Sequence, residues 1–126
     1  MSSLYESLPV YKKSLDLVVY TENVVRNFGR YHKYTVGTDL RNLSRRILTL
    51  IAKANIKAGR RDCLIEALDK LEELKILIRI CKEIKAFNSA NSFEYMAKSV
   101  VEIIKQCEGW MRSQNPAPNK SGAGAR

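Results

Sequence analysis

The sequence predicts an all-α fold, an antiparallel up-down-up-down four-helix bundle. Four stretches of the chain place apolar residues three and four positions apart, which is the spacing of one face of a helix. Short polar links separate these stretches, and short links join antiparallel neighbours in helical bundles. No stretch shows the alternation of apolar and polar residues that is typical of a half-buried strand. The 126 residues fit one domain.

The first helix is expected over about residues 8–28. Pro9 suits its first turn, where a missing amide hydrogen costs nothing, and Ser7 is the expected cap. Gly29 is expected to end the helix. The predicted apolar stripe consists of Tyr11, Leu15, Val18 and Val25, widened by Leu17, Val24 and Phe28. Glu22 is the one acid on this stripe, and a buried arginine is a candidate partner for it.

The second helix is expected to begin between Tyr31 and Thr38, to run to about Ile56 and to stop by Gly59. Gly37 weakens its first turn, because glycine is a poor helix former. Six apolar residues repeat by steps of four and three: Val36, Leu40, Leu43, Ile47, Leu50 and Ala54. So regular a repeat is a strong signal of an amphipathic helix.

The third helix is expected to follow an Asp62 cap and to run to about Phe87. Acids dominate its start and bases its end, which matches the helix dipole. Its stripe consists of Leu64, Leu68 or Ala67, Leu71, Leu74, Ile78 and Cys81.

The fourth helix is expected to follow a turn at 88–92, with Ser92 as its cap, and to end near Arg112. Its stripe consists of Phe93, Met96, Val100, Ile103, Cys107 and Trp110. The predicted bundle therefore spans residues 8–112, between a frayed segment at 1–7 and a small, polar, disordered tail at 113–126.

Positive charge is concentrated in residues 30–61. The whole chain has a net charge of +9, and this stretch holds nine Lys and Arg residues against one acid, Asp39. A local excess of one sign favours a polyanionic partner, although a solvated face or a docking surface for an acidic protein are alternatives. Candidate nucleic-acid or polymerase contacts are Arg30, His32, Lys33, Arg41, Arg45, Arg46, Lys53, Lys57, Arg60 and Arg61, with Lys75, Arg79 and Lys82 on the third helix. Tyr31 and Tyr34 are interpreted either as stacking platforms for unpaired nucleotides or as residues packed at the edge of the core.

Catalytic chemistry finds little support in the sequence. His32 is the one histidine, and it lies in a basic turn without a convergent set of titratable groups. No Glu-x-x-His pair or CxxC spacing occurs, so we predict a protein that is not an enzyme and has no metal or cofactor. The three cysteines, Cys63, Cys81 and Cys107, are expected to be free and buried. No apolar run is long enough for a membrane span and no secretory signal is evident, so the expected location is cytoplasmic.

Three segments resemble a known family: YHKYTVGTDLR (31–41), LEELKILIRICKEIKAF (71–87) and EGWMRS (108–113). They are similar to the accessory variability determinant (Avd) proteins of diversity-generating retroelements, over about residues 10–113. The bundle proteins encoded in 23S ribosomal RNA intervening sequences belong to the same superfamily and are the alternative.

The resemblance implies a pentameric barrel of four-helix bundles that binds RNA or DNA and associates with a reverse transcriptase. That polymerase copies a template RNA into mutagenised cDNA for transfer to a variable gene, and the accessory protein has no catalysis of its own. By position, the implied contacts are the bases of 30–61 and Arg79.

Assembly of a basic chain needs apolar contact or charge pairing. Glu72 and Glu73 against a neighbour's second helix would supply the pairing, and Leu17, Val24 and Trp110 are interface or core residues.

Overall fold

The computed structural model describes residues 8–56 and 58–114, and within these residues it contains helices and no strand. The helices are α1 (Pro9–Arg26), α2 (Arg30–Tyr34), α3 (Val36–Ala54), α4 (Arg60–Glu83) and α5 (Ala90–Gln114). The predicted all-α fold is confirmed. The expected frayed segment at 1–7, the Ser7 cap and most of the predicted tail lie outside the described residues.

Each of the four long helices packs mainly against two of the other three. α1 contacts α3 and α5, α4 contacts the same two helices, and the short α2 packs on α3. Lys13 and Tyr20 of α1 meet Glu102 and Tyr95 of α5, so these two helices run in opposite directions. One apolar core fills the space between the four helices. None of the helices that the structure describes has the length and hydropathy to cross a membrane.

The buried face of α1 agrees only partly with the predicted one. Leu17, Val25 and Phe28 are buried as predicted, whereas the other buried positions lie one residue before the predicted ones. The buried residues of α1 are Val10, Ser14, Leu17, Thr21 and Val25. The predicted stripe residue Leu15 is 39% exposed, and Tyr11 and Val18 are only half-buried. Apolar spacing missed this register because two core positions carry small polar residues. The Ser14 hydroxyl donates to the Val10 carbonyl at 2.8 Å, which satisfies it inside the helix.

The predicted second helix corresponds to α3, whose start at Val36 lies within the predicted window. The short helix α2 before it was not predicted, and the two helices meet at Thr35. Thr35 has φ −112° and ψ −97°, and its hydroxyl donates to the Tyr31 carbonyl at 2.8 Å. Gly37 is buried immediately after this break. The apolar repeat of α3 is confirmed from Leu40 to Ala54, with Leu43 half-buried.

The predicted stripe of α4 is buried throughout, with Ala67 rather than Leu68 in the core. Both predicted ends were wrong. Gly59, in the left-handed conformation, precedes the helix, and Asp62 lies in the first turn without capping it. The helix ends at Glu83 rather than Phe87 because Lys85 adopts a φ of 62°. The Ala86 amide then bonds to the Cys81 carbonyl at 2.9 Å, as in a Schellman motif.

α5 begins and ends slightly outside its predicted limits. The Ser89 hydroxyl accepts a bond from the Ser92 amide at 3.1 Å, so Ser89 is the cap and the prediction of Ser92 was wrong. The helix continues to Gln114, two residues past Arg112. The predicted stripe is otherwise correct, with Phe93 and Trp110 half-buried against the core. Leu17 of α1, which was expected at an interface or in the core, is 1% exposed and belongs to the core.

Candidate nucleic-acid interface

The middle of α3 carries arginines that are already ion-paired. Arg45 donates to a carboxylate oxygen of Glu22, and the Arg41 Nε atom lies 3.7 Å from the other oxygen. The predicted arginine partner of Glu22 is thus two arginines, of which Arg41 is half-buried and Arg45 exposed. On the other side of α3, the Arg46 Nη2 atom lies 2.9 Å from the Glu66 Oε2 atom. Two acids from α1 and α4 therefore offset much of the charge at mid-helix.

These pairs change the interpretation of the basic stretch. Glu22 lies 23 residues from Arg45 along the chain, and Glu66 lies 20 residues from Arg46. A count of charges within residues 30–61 misses both acids, because they approach α3 only in the folded bundle. Pairs that remain partly exposed to solvent are individually weak. Each guanidinium also has further N–H groups that can donate to a phosphate.

Basic side chains without an acidic partner lie at the two ends of α3. Arg30 and Lys33 are on α2, beside the start of α3, whereas Lys53 and Arg61 flank its end. None of the four forms an ion pair with an acid among residues 8–56 and 58–114. Since α3 has 19 residues, the two groups are separated by ~28 Å along its axis. Lys57, another candidate contact, lies outside the described residues.

The α2 end combines these bases with aromatic rings. Tyr31 is 75% exposed and Tyr34 is 67% exposed, so the alternative of edge-of-core packing was wrong for both. The Tyr31 ring meets the half-buried His32 ring edge-on at 5.6 Å. The buried His32 Nδ1 atom has no hydrogen-bond partner in the part of the chain that the structure describes.

Arg60 has a structural role at the opposite end. Its Nε atom donates to the Ala54 carbonyl at 2.6 Å and its Nη2 atom to the Asn55 carbonyl at 2.9 Å. Its Nη1 atom donates to Gln114, and the guanidinium lies 5.4 Å from the centre of the Trp110 ring. A cation at this position satisfies the carbonyls that end α3. Because most of its donors are used by the fold, Arg60 is the weakest candidate for a phosphate contact.

The candidates on α4 are exposed and have neighbours on the same protein. Lys75 lies 3.3 Å from Glu72, and Arg79 lies 2.8 Å from Glu83. The Lys82 ammonium lies 4.8 Å from the centre of the Phe93 ring. Glu73 pairs with Lys70 at 3.3 Å. The two glutamates expected to pair with a neighbouring copy thus have lysine partners within the chain.

Groups that could carry out covalent or metal chemistry are limited among the described residues. Burial raises the pKa of Cys81 to about 11 and the pKa of Cys107 to about 12, which disfavours the reactive thiolate. Cys63 is free and half-buried rather than buried as predicted. The hydrogen bond between Lys13 and Glu102 raises the pKa of the lysine and lowers that of the glutamate, and it links α1 to α5. No group of three metal-ligating side chains occurs within residues 8–56 and 58–114.

A second surface escaped the sequence-based prediction. Ile76, Ile80 and Ile84 follow one another at every fourth position of α4 and its C-terminal turn, and all three are exposed. Ile76 and Ile80 line an open groove between α3 and α4, together with Leu43 and Leu77. The signal was present in the sequence, since these isoleucines fall outside the core stripe that contains Leu74 and Ile78.

Comparison with known proteins identifies one family. The family model described as bAvd-like matches residues 9–114, a span that covers all five helices. No curated protein matches the chain.

Proposed function

The chain belongs to the bAvd-like family, and from this premise we propose that it is an accessory protein of a diversity-generating retroelement. In this role it binds RNA or DNA through its basic surface and associates with the reverse transcriptase of the element. Through that association it supports mutagenic cDNA synthesis and retrohoming. The family match is the observation that carries this proposal, because it spans the whole described bundle.

The distribution of charge supports contact with a polyanion. Arg30, Lys33, Lys53 and Arg61 have no acidic partner among the described residues, so a phosphate would be their first counter-charge. Such contacts are dominated by the nucleic-acid backbone and weaken as salt rises. The ion-paired candidates complete the proposed surface in a secondary role: Arg41, Arg45, Arg46, Lys75 and Arg79. His32 and Lys82 border it at the α2 end, and Arg60 at the other.

The arrangement of the helices is inferred from their contacts. α1 and α5 run in opposite directions, and the ring of contacts from α1 through α3, α4 and α5 returns to α1. Short connections at residues 55–59 and 84–89 join α3 to α4 and α4 to α5. These features support an up-down-up-down bundle, with α2 as an addition to the first connection.

We further propose that the protein assembles into a homo-oligomer, a pentamer by the resemblance. The support within the chain is apolar rather than electrostatic. The three exposed isoleucines of α4 lie in a row, and a surface of this kind is typical of a protein–protein contact. Charge pairing through Glu72 and Glu73 would first have to displace their lysine partners.

The decisive experiment is capture of the reverse transcriptase of the same element, with and without nuclease. The test variant is Lys53→Gln/Arg61→Gln, and Lys98→Gln/Lys105→Gln on α5 is the control with the same charge change. Reversal of Arg45 and Arg46 to Glu is a poorer choice, because it would place carboxylates against Glu22 and Glu66.

We expect the wild-type protein and the control to capture the polymerase and to bind polynucleotide. Capture that nuclease abolishes would mean that RNA bridges the two proteins. Capture that resists nuclease but is lost in the test variant would mean that the basic surface docks on the polymerase itself. Absence of both capture and polynucleotide binding would contradict the proposal.

A further inference from the structure

The short helix α2 displays two aromatic rings between basic side chains. Tyr31 and Tyr34 are three positions apart, which makes them neighbours on the helix surface. Neither ring belongs to the core or packs against it. Arg30 and Lys33 lie within the same turns and have no ion pair within the described part of the chain.

The backbone that carries these rings is fixed. The Lys33 amide donates to the Gly29 carbonyl at 2.8 Å, and the Thr35 hydroxyl donates to the Tyr31 carbonyl at 2.8 Å. Phe28, immediately before α2, is 4% exposed and meets the Phe87 ring edge-on. The rings therefore project from an anchored segment. Because its backbone is already ordered, binding of a ligand costs less conformational entropy.

Further positive charge lies at this end of the bundle. The Asn88 side chain donates to the Asn27 carbonyl, which joins the α4–α5 turn to the end of α1. Arg26, the last residue of α1, and Lys85, within the α4–α5 turn, are both exposed. Asp39, the nearest acid along the chain, lines the groove between α3 and α4.

We propose that α2 binds unpaired nucleotides of a polynucleotide, with bases stacked on Tyr31 and Tyr34 and the flanking phosphates held by Arg30 and Lys33. Aromatic rings between basic side chains suit single-stranded nucleic acid, because the nucleobases of a duplex are stacked on one another and cannot stack on a protein ring. α2 offers a partner protein no aliphatic side chain beside its rings. This inference rests on the proposed function and adds to it a preference for single-stranded ligands.

The test compares Tyr31→Ala/Tyr34→Ala with Tyr31→Phe/Tyr34→Phe, which keeps both ring faces. Affinity is measured by fluorescence anisotropy at one salt concentration, for a labelled single strand of about 16 nucleotides, the upper end of the length that one OB fold covers. The strand is used as RNA, as DNA and as the matching DNA duplex. We expect the alanine variant to bind single strands ~10-fold more weakly or worse, while its duplex affinity stays within about twofold. The phenylalanine variant should bind like the wild type.

The salt dependence separates stacking from charge. Removing two neutral rings should leave the slope of log affinity against log salt unchanged, whereas Arg30→Gln/Lys33→Gln should reduce it. Unchanged single-strand binding by the alanine variant would overturn the inference, as would an equal loss on duplex and single strand. A lower assembly mass with intact binding would also overturn it, because the rings would then contact another copy. If the wild type bound no polynucleotide at all, the proposed function would fail as well.

Discussion

Gly37 lies directly against Val25 at the point where α3 begins beside α1. A Cβ atom added to Gly37 would lie 2.7 Å from the Val25 Cγ1 atom and 2.9 Å from the His32 carbonyl oxygen. Neither neighbour gives way easily, since Val25 is a buried β-branched residue and the His32 oxygen belongs to the backbone. The glycine therefore allows α1, α2 and α3 to meet closely.

Gly37→Ala should lower the free energy of unfolding by up to about 2 kcal/mol, because overpacking a core usually costs about 1–3 kcal/mol. The better helix propensity of alanine offsets only about 1 kcal/mol. Gly109→Ala on α5 is the matched control, because the nearest atom to its added Cβ is a flexible Arg112 nitrogen at 3.7 Å. Urea unfolding should show the control as stable as the wild type or more so. Equal stability of the two variants would contradict the close approach.

Thr21 is fully buried, and its hydroxyl has no hydrogen-bond partner within residues 8–56 and 58–114. Thr21→Val removes this hydroxyl and keeps the shape, so we expect the free energy of unfolding to rise by about 1 kcal/mol. Ser14→Ala is the comparison on the same face, since the Ser14 hydroxyl is bonded to the Val10 carbonyl. Thermal and urea unfolding should show no gain for Ser14→Ala. A less stable Thr21→Val protein would mean that the hydroxyl has a partner.

The apolar repeats predicted the helices well because they report directly on burial. The stripes of α3, α4 and α5 were predictable since most of their core positions carry apolar residues at helical spacing. On α1 the repeat was only partly right. Leu17 and Val25 are buried as predicted, but Ser14 and Thr21 occupy core positions that a hydrophobic pattern does not recognise. The end of α4 was missed because Lys85 holds the left-handed position where glycine is usual.

The candidate site was only partly predictable. The bases themselves were evident from composition, whereas their neutralisation was not, because Glu22 and Glu66 reach α3 through tertiary packing. The local sequence also did not show whether Tyr31 and Tyr34 are exposed or packed at the edge of the core. Their exposure depends on the break at Thr35, which separates α2 from α3.

Ile76→Glu/Ile80→Glu should reduce the mass of the assembly measured by light scattering. Two carboxylates in the isoleucine row would have to lose their hydration in an apolar contact, which is unfavourable. Both side chains are exposed, so the fold of each chain should remain intact by circular dichroism. Leu15→Glu/Val19→Glu, on the exposed face of α1, is the control with the same chemistry. An unchanged mass in the α4 variant would exclude this row as the contact between copies.

Lysine and arginine side chains without an acidic partner lie at both ends of α3, and this separation leads to a prediction about salt dependence. Each phosphate contact adds about 0.9 to the magnitude of the slope of log affinity against log salt on duplex DNA. Lys53→Gln/Arg61→Gln should therefore lower that magnitude by about two, and Arg30→Gln/Lys33→Gln should do the same.

The control for both end variants is Lys98→Gln/Lys105→Gln, which removes the same charge from α5. Its slope should equal that of the wild type, because phosphate contact depends on where a charge lies and not only on how many there are. Arg45→Gln removes a single charge and should lower the magnitude of the slope by less than about one, because this guanidinium is shared with Glu22. If the α5 control lowered the slope as much as the two end variants, binding would reflect net charge alone, and the two ends of α3 would have no special role.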